Sequence, residues 1–194
     1  MGGVLVGLDA KRCIDAFRTI GCEKIAFYVE EHRTEDLFLD TELGRITENE
    51  FCDEVRRLTA TDACNERIVW AWNELLTGIA KEKLDFLSLL KERGYRLFLL
   101  SNTNSMHWQR CRDAFFNSDE RMATDYFERI FLSYEMHLAK PDVKIFSEAL
   151  SLAGLRSNET LFIDDSCDNC KAAASLGIET LHETTGRDFM TFLL

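Results

Sequence analysis

Proline is nearly absent from this chain: Pro141 stands alone among 194 residues. A proline-stiffened linker is thereby excluded, and no low-complexity stretch supplies a flexible one. Long apolar runs are missing too; nothing reaches the about 18 residues a membrane-spanning helix needs, so no membrane association is expected. Basic residues are in deficit, 23 Lys and Arg against 34 Asp and Glu, for a formal net charge of -11. That balance opposes a phosphate backbone, so nucleic acid is not an expected partner. The opening residues Met1-Gly-Gly-Val-Leu-Val-Gly-Leu-Asp9 lack the basic start of a secretory signal. The seven cysteines are odd in number and scattered, unlike a disulfide framework, and a reducing cytoplasm is the expected location.

What is present falls into two zones. Over residues 11–76 apolar residues recur at helical spacing, as in Cys13-Ile-Asp-Ala-Phe17, Ile25-Ala-Phe-Tyr-Val29 and Glu50-Phe-Cys-Asp-Glu-Val55, and no strand is expected. Thr47-Glu-Asn-Glu50 has the form of a capping box and predicts a helix start, with Gly44 marking the turn before it. Trp70 and Trp72 read as packing between helices. From residue 83 the period alternates: helix 83–93 closed by Gly94, strand 95–100, helix 106–116, strand 129–132, helix 142–153 closed by Gly154, strand 160–163, helix 169–176 closed by Gly177, and strand 178–181. Such alternation predicts an α/β fold on a doubly wound parallel sheet.

Three strand ends carry chemistry. The run Thr160-Leu-Phe-Ile-Asp-Asp-Ser-Cys-Asp-Asn169 ends a buried strand in Asp164 and Asp165, with Asp168 following. Ligands bind at the carboxyl edge of open α/β sheets, and hard carboxylate oxygens there suit Mg²⁺; an acidic turn capping a helix is the alternative. Leu99-Leu-Ser-Asn-Thr103 sets the hydroxyl of Ser101 and the amide of Asn102 at a strand-to-loop junction, where they hold a phosphate or else belong to a helix cap. Lys140 precedes Pro141, which opens the helix from Asp142, so Lys140 either pairs with a phosphate oxygen or an acidic nucleophile or is a solvated surface lysine. Cys167-x-x-Cys170 lacks the second pair a zinc site needs and reads as two small residues flanking a tight turn.

In that order, Ser101-Asn102, Lys140-Pro141 and Asp164-Asp165 resemble the second, third and fourth motifs of the haloacid dehalogenase (HAD) superfamily of phosphohydrolases, subfamily IA. Leu100-Ser-Asn-Thr-Asn104 with His107, Phe162-Ile-Asp-Asp165 with Asp168-Asn169, and Gly44-Arg-Ile-Thr-Glu-Asn-Glu-Phe51 look like the small bacterial sugar-phosphate phosphatase branch, of the α-D-glucose-1-phosphate type. The resemblance implies a HAD-like Rossmannoid core over 1–10 and 82–194 and a helical C1-type cap over 11–81. It implies Mg²⁺-dependent hydrolysis of a small phosphorylated metabolite, a sugar phosphate favoured, through an aspartyl-phosphate. Ser101 and Asn102 would orient the phosphoryl oxygens. Lys140 would neutralise charge on phosphate and nucleophile. Asp164 would ligate Mg²⁺, with Asp165 as ligand or water-mediated support and Asp168 behind them. His107 and Arg45 read as structural. A monomer or weak homodimer is expected.

The first motif departs from the pattern. Met1-Gly-Gly-Val-Leu5 aligns with the residues just after the family's nucleophilic Asp, so the resemblance puts that Asp, and the first strand, just upstream of residue 1. The cost of an incomplete sheet favours a late start over a true loss. A receiver domain carries its acidic pair on the first strand rather than the last, and a dehalogenase has no need of the Asp164-Asp165 pair. A catalytically inactive phosphometabolite binder or interaction protein remains the alternative.

Overall fold

In the first zone the helical period is realised by α1 (Ala10–Thr19), α2 (Glu23–Glu30), α3 (Leu37–Glu42), α4 (Glu48–Thr59) and α5 (Asn65–Asn73), in a computed structural model that describes residues 1–31, 37–117 and 121–193. Residues 32–36, within the predicted helical zone, lie outside the described residues. Local chemistry sets the helix starts. Asp9 accepts from the Arg12 N–H at 3.1 Å, and the capping box closes as predicted: Thr47 Oγ1 accepts from the Glu50 N–H at 3.3 Å while the Glu50 carboxylate accepts from the Thr47 N–H at 2.7 Å. The apolar faces turn inward together. Phe17, Ile25, Phe51, Val55 and Ile68 are fully buried in one cluster. Each such side chain contributes about 1.5–3 kcal/mol of transfer free energy, which is what holds helices this short.

The expectation of no strand in this zone fails at its end. Leu76–Ile79 forms β2, which pairs antiparallel with β1 (Val6–Leu8) and so closes the two ends of the helical zone against each other. Leu-Thr-Gly-Ile carries no alternating pattern; the strand exists because β1 is beside it. Gly7 permits that approach, since a Cβ there would stand 2.3 Å from Thr77 Oγ1.

The second zone alternates as predicted: α6 (Lys81–Glu92), β3 (Phe98–Ser101), α7 (Ser105–Arg110) running into a π-helical turn at Cys111–Phe115, α8 (Ala123–Tyr126), β4 (Arg129–Leu132), α9 (Ser133–Met136), α10 (Val143–Ala153), β5 (Leu161–Asp164), α11 (Cys167–Ala174), β6 (Glu179–His182) and α12 (Asp188–Phe192). The strand expected over 95–100 is confined to 98–101, and two helix starts follow capping side chains rather than the apolar period. Asp142 caps α10, accepting from the Lys144 N–H at 2.9 Å, so Pro141 lies before the helix rather than at its first position, joined to Lys140 by a cis peptide bond. Ser166 caps α11, which therefore starts at Cys167 rather than residue 169.

The parallel sheet is present in two halves. β3 pairs with β4 from Phe98↔Arg129 to Ser101↔Leu132, and β5 with β6 from Leu161↔Glu179 to Asp164↔His182. Among the described residues no strand joins β3 to β5. An apolar cavity of about 540 Å³ is lined by both, with Leu99, Leu100, Phe131, Phe162 and Ile163 on its walls and Met1 at its edge.

Candidate active site

Ser101 and Asp164 are the last residues of β3 and β5, and Lys140 ties the two strand ends together. Its ammonium donates to the Leu100 carbonyl at 3.2 Å and to Asp164 Oδ2 at 2.6 Å. Both side chains of this ion pair are almost wholly buried, 4% and 3% exposed. Lys140 is therefore not a surface lysine. A buried lysine is retained only where a partner meets its charge, and Asp164 does so. Asp164 is held on its other oxygen as well, by the Asn169 amide at 2.7 Å and the Ser166 N–H at 3.0 Å. Burial pushes its carboxyl upward, but the Lys140 charge and these hydrogen bonds outweigh that and hold it below its ordinary value.

Asn102, expected to orient phosphoryl oxygens, spends its side-chain amide on the neighbouring backbone. Its amide pairs with the backbone of Lys140 at two points: Nδ2 donates to the Lys140 carbonyl and the Lys140 N–H donates to Oδ1, both at 2.8 Å. Asn102 fixes where Lys140 begins. Ser101, also buried, donates its hydroxyl to the Asn102 carbonyl at 3.2 Å, a long bond that a phosphoryl oxygen can replace. Ser133 is an unforeseen member of this framework. Its hydroxyl accepts from the Thr103 N–H and donates to the Thr103 carbonyl, each at 2.9 Å, locking the loop after β3 to the residue after β4. A small hydroxyl directly after a strand was its one sequence signal.

Asp165 stands beside this pair with its side chain exposed. Gly3 approaches it so closely that a Cβ would lie 2.1 Å from Asp165 Oδ2. Asp168 does not join them. It is exposed on α11 and pairs with Lys171 at 3.1 Å, because the first turn of that helix points it outward; the orienting part expected of it is played by Asn169. Cys170 is buried beneath the strand end, its thiol donating to the Asp164 carbonyl at 3.7 Å, while Cys167 is exposed.

His107 and Arg45, read as structural, each have partners within the protein. Arg45 pairs with Asp40 at 2.9 Å on the surface. His107 Nε2 meets the Trp72 carbonyl at 3.1 Å; a carbonyl only accepts, so Nε2 carries the proton and Nδ1 accepts from the Asn104 amide at 3.3 Å. Burial pulls His107 down to about 4, against the raising effect of that carbonyl. Its ring stacks on Trp72 at 4.6 Å, and Trp72 stacks on Phe38 at 4.8 Å, which places Trp72 between helices as predicted; Trp70, given the same reading, is instead exposed with Arg67 over its ring.

The donor set suits a hard divalent cation. Mg²⁺ takes one or two carboxylates and fills its remaining positions with water and substrate phosphate oxygens. Asp164 and the exposed Asp165 meet that requirement; among the described residues no group of three His, Cys, Asp or Glu side chains is set for an all-protein metal cage.

Comparison with known proteins points the same way as this geometry. A family model described as haloacid dehalogenase-like hydrolase matches residues 10–177. D-ribitol-5-phosphate phosphatase of Bacteroides thetaiotaomicron is 28% identical over 188 residues, which is 97% of this chain and 91% of that protein. The crystal structure of HAD family enzyme BT-2542 from the same species, in complex with magnesium and inorganic phosphate, superposes with a TM-score of 0.94 at 41% identity, over 100% of this chain and 96% of that one. A HAD-like family hydrolase from Porphyromonas gingivalis superposes with a TM-score of 0.87 at 33% identity, over 99% of this chain and 93% of that one. No helix among the described residues is long and apolar enough to cross a membrane.

Proposed function

The chain belongs to the haloacid dehalogenase-like hydrolase family, and on that premise we propose that it is a Mg²⁺-dependent phosphatase acting on a small polyhydroxylated phosphomonoester, a sugar or polyol phosphate. The observation that carries this reading is the buried Lys140–Asp164 pair, set between the end of β3 with its Ser101 hydroxyl and the exposed carboxylate of Asp165. Residues 1–10 and 82–194 then act as the catalytic core and residues 11–81 as the cap that selects the substrate.

Each residue has a task that its position supports. The Ser101 hydroxyl donates to a phosphoryl oxygen. Lys140 supplies a charge-assisted donor to the same group, and Asn102 keeps it aimed. Asp164 and Asp165 hold the metal, which when bound offsets the negative charge of the phosphoryl group. The nucleophile is a carboxylate carried by a strand seated in the cavity between β3 and β5, ahead of Met1 in chain order. The walls of that cavity support this reading, since an apolar strand laid there would meet edges of β3 and β5 that no strand pairs among the described residues. The carboxylate attacks phosphorus, the alcohol leaves, and water hydrolyses the acyl phosphate.

Hydrolysis of an aryl phosphate tests this, on the chain as given and on one extended upstream through its reading frame, each with and without Mg²⁺. Turnover by the extended chain that disappears on chelation of the metal is expected. The second reading is a binding protein without turnover, since Ser101, Lys140 and Asp164 can hold a phosphate without cleaving it. It replaces the first if both chains bind inorganic phosphate and neither hydrolyses the ester.

A further inference from the structure

Cys167 and Cys170 occupy the first and fourth positions of α11, the helix that follows the Asp164-Asp165 strand end. Residues three apart on a helix share a face, and helix geometry sets their Cα atoms about 5 Å apart. A disulfide joins Cα atoms roughly 4.4–6.8 Å apart, so this spacing fits one. The Cα–Cβ bond of Cys170 leans toward the helix start, and hence toward Cys167. The two sulfurs differ in access. Cys167 is exposed, whereas Cys170 is 6% exposed, its thiol donating to the Asp164 and Leu181 carbonyls at 3.7 and 3.8 Å. One open and one sheltered sulfur suit a two-step exchange, in which the first meets the reagent and the second displaces it.

The turn between the sulfurs also holds Asp164. Asn169, just before Cys170, gives its amide to Asp164 Oδ1 at 2.7 Å, and the N–H of Ser166, just before Cys167, donates to the same oxygen at 3.0 Å. The cap that fixes this turn is slack: the Asn169 N–H meets Ser166 Oγ at 3.4 Å. To join Cys167, the Cys170 sulfur must leave the two carbonyls it now faces, and Asn169 lies on the segment that has to shift.

We propose that Cys167 and Cys170 form a reversible dithiol–disulfide site, oxidised by a small-molecule disulfide, whose closure draws Asn169 off Asp164 and weakens anion binding beside it. The effect on anion binding rests on the phosphatase reading above; the disulfide itself does not. The Cys167 sulfur attacks one sulfur of the reagent, breaking its S–S bond and releasing one thiol. The Cys170 sulfur then attacks the Cys167 sulfur of the mixed disulfide and releases the second thiol. Two electrons pass from the protein to the reagent, and both protein thiol protons end on the released thiols.

The test treats the full chain with oxidised glutathione under native conditions and maps its tryptic peptides by mass. Cleavage after Arg156 and Lys171 leaves both sulfurs, and no other cysteine, on one peptide. That peptide is expected to lose two hydrogen atoms and carry no glutathione. Cys64, exposed and with Thr61 and Arg67 three residues to either side, should keep a glutathione adduct instead. Cys170→Ala should trap the adduct on Cys167. A wild-type Cys167 that keeps glutathione as Cys64 does, or stays unmodified, overturns the proposal.

Equilibrium binding of inorganic phosphate with Mg²⁺ on the same samples reads the coupling. The disulfide form is expected to bind about tenfold more weakly than the reduced form, as for loss of a hydrogen bond to a charged group, and dithiothreitol should restore it. Cys167→Ser cannot close the ring and should bind equally before and after treatment. Equal affinity of the reduced and disulfide forms overturns the coupling to Asp164. A reduced chain that binds no phosphate overturns the phosphatase reading and the coupling with it, while the disulfide stands or falls on the peptide map alone.

Discussion

Lys140 Nζ and Asp164 Oδ2 lie 2.6 Å apart across the two halves of the sheet, with almost no solvent on either side. Nothing in the second zone ties β3 to β5 by backbone pairing among the described residues, so this ion pair is a direct polar link between the strand ends. It holds the site together and supplies its charge. Asp164 has the lysine on one oxygen and Asn169 with Ser166 on the other, and a ligand entering here meets a preset field rather than mobile side chains.

Removing one member of that pair should cost more than removing both. Lys140→Met leaves Asp164 buried without its counter-charge and is expected to destabilise by about 3–5 kcal/mol, whereas Lys140→Met with Asp164→Leu should recover much of the loss. Urea unfolding of the two single variants and the double variant reads the coupling. Additive losses would refute the pairing as drawn. Phosphate binding should be lost in all three.

Gly44 should tolerate no side chain. Its φ is +63°, and a Cβ would be driven to 2.1 Å from the Tyr134 carbonyl oxygen. Gly94 is the natural control, with φ +88° and nothing within 4 Å. Gly94→Ala should show only the left-handed strain of about 1–2 kcal/mol, and Gly44→Ala should exceed it because backbone must move. Thermal unfolding of both variants measures the difference. Equal shifts would mean that the contact with Tyr134 carries no weight.

His107 makes the fold acid-sensitive. Its ordinary pKa of 6.5 falls to about 4 in the folded chain, chiefly by burial. The unfolded chain therefore binds the proton more readily. Stability from keeping this ring neutral is fully present above about 6.5 and is lost as pH falls toward about 4, amounting to about 2–3 kcal/mol by pH 4.5. Urea midpoints at pH 7.5 and 4.5 should converge more for His107→Gln than for wild type. Parallel slopes for the two proteins would rule the ring out as the sensor.

The alternation of the second zone was legible because each strand and helix there carries its own local signal. The apolar run before Asp164, the glycines after α6 and α10, and the capping box at Thr47 act over a few residues, which is the range a linear reading covers. β2 was missed because Leu76-Thr-Gly-Ile79 has no strand pattern of its own; its partner lies nearly seventy residues back in β1. Ser133 was missed for the same reason, as its role exists only once β3 and β4 are paired.

The site divided in the same way. Strand ends that finish in Ser101 and in Asp164-Asp165 follow from sequence, because a parallel sheet carries its chemistry at the carboxyl edge. Which of the polar residues beyond those ends face inward did not. Asp168 and Asn169 are adjacent, yet the first turn of α11 sends one to Lys171 on the surface and the other to Asp164. The loop after α9 brings the Lys140 backbone against the Asn102 amide, a contact that no local pattern announces. Sequence alone determined which chemical groups reach the carboxyl edge, since that depends on local period and capping. Only the tertiary structure decided which of them are desolvated, paired and aimed, because burial and partnership are set by segments far apart in the chain.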